Sequence, residues 1–186
     1  MDCISADRNN LLTFKIDTMA KQDLIVLSYH QFFAEENLYP FSRTYKQFQH
    51  DLDHKDFDWI TIDDGHHSVM KACKMMEEKN LRAKLFISTD LIGKDGYLTW
   101  DEVWTLSRKH DIECHSHKHI KLPEHPEKVI RQNLQKSYDL IYQHTGRRPR
   151  YFVAPWNQYN DMVIKICEEF KMQPVRDRTD IKNDSR

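Results

Sequence analysis

Asp58-Trp59-Ile60-Thr61-Ile62-Asp63-Asp64-Gly65 is the stretch that decides the fold. Its middle is apolar and β-branched, and it stops abruptly at two carboxylates and a glycine. Such a short run, bounded by polar residues, predicts a buried strand over residues 58–63. The same grammar recurs on either side of it. Apolar runs at 23–30, 82–88, 111–114 and 150–154 predict four more strands, and a weaker one at 172–176 is interrupted by Pro174. The intervening segments carry helical spacing. A surface helix is expected over 44–52, and a second over 66–79 with Val69, Met70, Cys73 and Met76 inward and Asn80 as its stop. Thr99 and Glu102 form a capping box for a third, running to about residue 109. A long fourth opens at Pro126 with Ile130, Leu134, Tyr138 and Ile141 on one face and Gly146 at its end. Asn160 caps a fifth, whose stripe is Val163, Ile166, Cys167 and Phe170. Strand and helix alternate throughout, which argues for a parallel sheet or an α/β barrel.

Composition narrows the function. The chain has 186 residues, 39% of them hydrophobic, enough for one domain with a real core. Its 28 Lys and Arg against 29 Asp and Glu leave a formal net charge of -1. No basic excess exists to grip a phosphate backbone, so nucleic acid is not an expected partner. No run approaches the roughly 18 apolar residues of a membrane helix. Residues 1–22 show no clean period and no signal-peptide core, and are read as an N-terminal extension to a domain at 23–186. The chain as written is expected in the cytoplasm, or outside it if the sequence is a fragment. The cysteines Cys3, Cys73, Cys114 and Cys167 are far apart and read as free thiols.

In parallel α/β folds, chemistry collects where strands end. Three predicted strand ends are polar in a specific way: Asp63-Asp64-Gly65, His115-Ser116-His117-Lys118-His119 and Pro155-Trp156-Asn157. Two adjacent carboxylates at the end of an apolar strand are costly, because each raises the other's pKa. A cation shared with nearby imidazoles removes that cost. One Asp and two His are three protein ligands, which leaves positions open for water and substrate, the pattern of a catalytic zinc-type site.

These residues resemble the polysaccharide deacetylases, metal-dependent carbohydrate esterases. Residues 60–65 look like that family's first motif, in which the first Asp is the base and the second a metal ligand. His115-Ser116 with His119 matches the second, whose histidines complete the metal site and whose serine braces the loop between them. Residues 151–160 resemble the third, which lines a wall of the groove. Ser28-Tyr29-His30 is most similar to the branch acting on poly-N-acetylglucosamine. The resemblance implies a deformed (β/α) barrel, incomplete at its C-terminus, and removal of N-acetyl groups from a saccharide. It implies Asp63 as base and Asp64, His115 and His119 as metal ligands; His30, Pro155 and Trp156, at strand ends facing the same mouth, are the candidate substrate contacts. The expected metal is Zn²⁺, with Co²⁺ or Ni²⁺ as alternatives for this donor set.

The chain departs from the family at three points. Val153 stands where many members carry an arginine that orients the base. His66 follows Gly65 where Pro or an aromatic is common. The family's late acid histidine has no counterpart, since the last histidine is His144. His30, at a strand end beside Asp63, is a candidate stand-in. A non-catalytic metal- or saccharide-binding domain, and an amide hydrolase of small non-sugar substrates, are the competing readings. A barrel of this class needs about seven or eight strands, as the resemblance implies, and six are visible. An open edge is therefore expected, left by a missing C-terminal strand and acid histidine if the sequence is a fragment, or otherwise filled by residues 1–22 or a second copy of the chain. Of the other residues, His117 is expected to face away from the ligands into solvent and His66 to start a helix. His50, His54, His110, His125 and His144 are expected on helix surfaces or ends. Trp100 and Trp104, four apart, are expected in the core, and Cys114 as a buried thiol facing away from the site.

Overall fold

Each apolar run forms the strand its composition demands, and the runs lie side by side in chain order. The computed structural model describes residues 26–35 and 42–176. Elements in order are β1 (Val26–Tyr29), β2 (Gln31–Phe33), β3 (Ser42–Thr44), α1 (Tyr45–His54), β4 (Trp59–Asp64), α2 (Val69–Glu77) and β5 (Ala83–Ile87). They continue with α3 (Trp100–Ser107), β6 (Asp111–Cys114), α4 (Glu127–Thr145), β7 (Tyr151–Phe152), α5 (Asp161–Glu169) and β8 (Gln173–Pro174). Single turns of 3₁₀-helix sit at Leu122–Glu124 and Pro155–Asn157.

The main sheet has six strands in the order β1-β4-β5-β6-β7-β8, every pair parallel. It is a curled half-barrel with helices packed outside it, the incomplete barrel expected from the sequence. Among the described residues β1 and β8 pair with nothing on their outer sides, so the barrel stays open between them. Pro174 fits this position. Gln173 and Val175 donate to the Arg150 and Phe152 carbonyls, so the proline, lacking an N–H, faces the open edge. The calls on residues 1–22 and on Cys3 lie outside the described residues, as do residues 23–25 of the first predicted strand. No described helix is long and apolar enough to cross a membrane.

Helix starts follow the capping chemistry. Thr99 and Glu102 close their capping box, and Thr44 with Gln47 closes another that starts α1. Asn160 accepts from the Val163 N–H at the start of α5, and Gly146 ends α4 at φ +69°. The large core lies between sheet and helices. It joins Leu27, Ile60, Ile62, Leu85, Ile87, Ile112 and Cys114 to Cys73, Met76, Val103, Leu134, Ile141 and Ile166. Cys73, Cys114 and Cys167 are buried free thiols. A smaller cluster of Phe86, Tyr151, Val153 and Val175, flanked by Trp59, packs separately.

Four expectations need correction. His66 does not start α2, which begins three residues later; it forms an isolated antiparallel bridge with Tyr97. His110 is fully buried, because its Nδ1 accepts the Ala83 N–H at 3.1 Å and tethers the start of β5. His117 faces away from the ligands as expected but is only 7% exposed, enclosed by Thr89 and α4. Trp104 is 52% exposed beneath the Arg108 guanidinium, while Trp100 stacks on His144 with ring centroids 4.0 Å apart. The helical period put the two tryptophans on one side, but the core takes Val103 and Leu106 instead.

Candidate metal and active site

The parallel register brings four strand ends level. Asp64 pairs with Ile87, Ile87 with Cys114, and Cys114 with Phe152. Asp63, Asp64, His115 and Val153 therefore emerge at one rim, with His30 following β1 on the other side of β4.

Successive side chains on a strand face opposite ways, so adjacent carboxylates serve one site only if the backbone turns. It does so here: Asp64 has φ +72° and Gly65 φ +88°. A Cβ at Gly65 would come within 3.0 Å of the Ile92 Cδ1 and 3.3 Å of the Ile87 Cγ2, so the turn needs glycine on both counts. The outcome is visible at His30. Its Nδ1 lies 3.0 Å from the Asp64 Oδ2 and its Nε2 3.9 Å from the Asp63 Oδ2.

The histidine loop uses the same device. Ser116 has φ +68°, and its hydroxyl donates to the Lys118 carbonyl at 2.8 Å. This turn brings His115 and His119 to one point. Their Nε2 atoms lie 3.3 and 3.2 Å from the Asp64 Oδ1. Asp64, His115 and His119 offer one donor atom each, all within 4.8 Å of one another, a set that could hold a metal ion. The spacing fits. Two ligands at 2.0–2.1 Å from a tetrahedral zinc ion stand about 3.3 Å apart. The tautomer fits too. The His115 Nδ1 lies 2.7 Å from the Val153 carbonyl, which can only accept, so Nδ1 carries the proton and the Nε2 lone pair faces Asp64.

Burial of Asp64 would by itself raise its pKa, but positive charge opposite it, from protonated His115, His119 and His30 or from an ion in place of those protons, outweighs that and holds it ionised, well below the usual carboxylate range. Asp63 is 2% exposed beside this set, not among the three converging donors. Trp156, at φ +61° and 65% exposed, presents its ring near His119, the centroids 5.5 Å apart and the planes at 63°. Pro155, buried, fixes the turn that carries it. The sequence reading thus named residues that come together: Asp63, Asp64, His115, His119, His30 and Trp156. It missed Thr89, Asn133 and Ser137, which hold the histidine loop from other elements.

A parallel half-barrel with an Asp–His–His set at its strand ends defines a barrel protein with a candidate divalent-metal site open to solvent. The chain belongs to the polysaccharide deacetylase family, whose sequence profile matches residues 52–175. No curated protein matches the sequence. Among solved structures it resembles IcaB from Ammonifex degensii at 16% identity and TM-score 0.69, covering 80% of this chain and 81% of that one. The Streptococcus pyogenes deacetylase PplD in complex with acetate matches at 16% identity and TM-score 0.64, covering 78% and 79%. A CE4 family pseudoenzyme from Bacillus anthracis matches at 19% identity and TM-score 0.57, covering 62% and 41%. These likenesses support the fold. The family is metal-dependent, and the convergent donors supply a candidate site for the ion.

Proposed function

We propose that the chain is a metal-dependent deacetylase that hydrolyses N-acetyl groups, or less favourably O-acetyl groups, on a saccharide. Poly-N-acetylglucosamine is the first substrate to test, given Ser28-Tyr29-His30 and the IcaB-like fold. Residues 23–186 would be the deacetylase domain and residues 1–22 its extension. One observation carries the reading: a second carboxylate, Asp63, is buried beside three convergent ligand donors. A binding module that merely held a metal has no use for it.

In this reading Asp64, His115 and His119 hold the divalent ion, Zn²⁺ first and Co²⁺ or Ni²⁺ as alternatives. When bound, the ion supplies the Lewis acidity that activates water and polarises an acetyl carbonyl. Asp63 accepts the proton of the attacking water. His30, which lies against both carboxylates, would serve as the stand-in acid that protonates the leaving amine. Trp156 offers its exposed face to a sugar ring, with Pro155 beneath it. The competing reading is a non-catalytic domain of the same fold. Val153 in place of the base-orienting arginine favours it, as does the likeness to a pseudoenzyme.

The test is acetate release from poly-N-acetylglucosamine oligomers, with an N-acetylated chito-oligosaccharide beside them, by Zn²⁺-loaded protein. Asp63→Asn should keep metal uptake and lose activity by about 10²–10⁴-fold, the usual worth of a general base. Loaded wild-type protein that releases no acetate would establish the binding-domain reading instead.

A further inference from the structure

The buried stripe of α4 contains two polar residues where its period calls for apolar ones. Ile130, Leu134 and Ile141 are buried there, and so are Asn133 and Ser137 one turn apart. A buried amide in a helix stripe is costly unless it is answered. Both residues are answered by the three-residue segment between the two histidines of the candidate site. The Asn133 Oδ1 accepts from the His117 N–H at 2.7 Å and from the Lys118 N–H at 3.3 Å. Its Nδ2 donates to the Lys118 carbonyl at 3.5 Å. The Ser137 hydroxyl donates to the Ser116 carbonyl at 3.1 Å. From the other side, the Thr89 N–H donates to the Ser116 carbonyl at 3.2 Å and the Asp90 N–H to the His117 carbonyl at 2.9 Å. The segment, with its left-handed residue at Ser116, is clamped between α4 and the loop after β5.

We infer that Asn133, backed by Ser137, is a positioning residue that sets the distance between His115 and His119; this rests on reading those histidines, with Asp64, as metal ligands. The two histidines are steered differently. His115 is aligned through its own Nδ1 and the Val153 carbonyl. His119 shows no such hydrogen bond among the described residues, so its placement follows the backbone that Asn133 holds one residue earlier. An apolar residue at 133 would strand the buried His117 N–H and the half-buried Lys118 N–H and let the segment shift, separating donors that now stand 3.2–3.3 Å from the Asp64 Oδ1.

The experiment compares wild type, Asn133→Leu, Asn133→Asp and Ser137→Ala in the full chain. Zn²⁺ affinity is read by competition with a chromophoric chelator, and ligand geometry by the visible spectrum of the Co²⁺-loaded protein. Thermal unfolding with metal removed reports the fold separately. Asn133→Leu should bind Zn²⁺ about 10–100-fold more weakly, the usual cost of losing a residue that orients a ligand, and alter the Co²⁺ spectrum. Asn133→Asp keeps the acceptor and should recover most of both. If Asn133→Leu does not fold, Ser137→Ala decides, with weaker Zn²⁺ binding as the expected result. A folded Asn133→Leu protein with wild-type affinity and spectrum overturns the inference, as does unchanged affinity in a deciding Ser137→Ala. Wild-type protein that takes up no metal overturns the site reading itself, and the inference with it.

Discussion

Buried charge occurs at two levels of the same sheet, and the contrast between them separates a site from a support. At the rim stand Asp63, Asp64, His30, His115 and His119. Deeper in the strands stand Lys84 of β5 and Asp111 and Glu113 of β6, with Lys84 wholly buried and Glu113 nearly so. The lower group is answered by the protein. The Lys84 Nζ lies 3.3 Å from the Asp111 Oδ2 and over the Trp59 and Tyr151 rings, at 4.2 and 4.9 Å. The Glu113 Oε2 accepts from the Arg150 and Tyr151 N–H groups at 2.7 and 2.9 Å, pinning β7 to β6. The rim group is different in kind. Its carboxylates face imidazoles, whose lone pairs suit a cation better than they suit a carboxylate. Burial of charge alone therefore does not mark a site; carboxylate and imidazole donors converging on one point do.

Two substitutions test whether the levels are independent. The largest effect is expected at the rim. His119→Ala should abolish stoichiometric Zn²⁺ uptake, measured by metal analysis after gel filtration, and leave the far-UV spectrum unchanged. His119 is partly exposed and contributes nothing to the core clusters. Undiminished uptake would remove His119 from the ligand set. The next largest belongs to the lower level. Lys84→Met should cost about 3 kcal/mol in urea unfolding, the low end for breaking a buried pair, because Asp111 keeps Arg82 at 3.0 Å. Zn²⁺ affinity should stay at the wild-type value. A large fall in affinity would show that the two levels are coupled and break the contrast.

The rim was far more legible in the sequence than the lower level, for a physical reason. Asp63-Asp64-Gly65 and His115 to His119 are contiguous, and each follows an apolar run whose end marks a rim position. The strands at 59–64, 83–87 and 111–114 were legible on the same ground, and the α3 and α5 starts through their side-chain caps. Lys84 and Glu113 sit inside such runs, and their partners arrive from other strands, so nothing local announces them. His110 and His117 looked like surface residues because Ala83 and Thr89, which enclose them, lie 27 and 28 positions away. The short parallel pair of β2 and β3 was not legible. Its three-residue strands are set by register between residues 31–33 and 42–44, not by a pattern of their own. Asn133 and Ser137 were hidden by the apolar residues that flank them on α4.

The smallest expected effect sharpens what answering a buried charge means. Burial pushes the Glu113 carboxyl up to about 7 from its ordinary 4.5, despite the Tyr151 and Arg150 N–H donors and the Lys84 charge that pull it down. Asp111 nearby adds to the rise. Between about pH 4.5 and 7 the folded protein keeps a proton that the unfolded chain has released. The stability this group contributes is therefore complete below its unfolded pKa and is lost as pH rises through about 7. Glu113→Gln removes that dependence while its amide oxygen still accepts from Arg150 and Tyr151. Urea unfolding at pH 5 and pH 7.5 should show wild type losing on the order of 1–3 kcal/mol more than the variant across the interval. Groups titrating alike in both proteins cancel in the difference. Equal pH dependence in the two proteins would mean that Lys84 keeps Glu113 ionised throughout, and that the lower level is a fully paired ionic network and not a carboxylic acid held neutral.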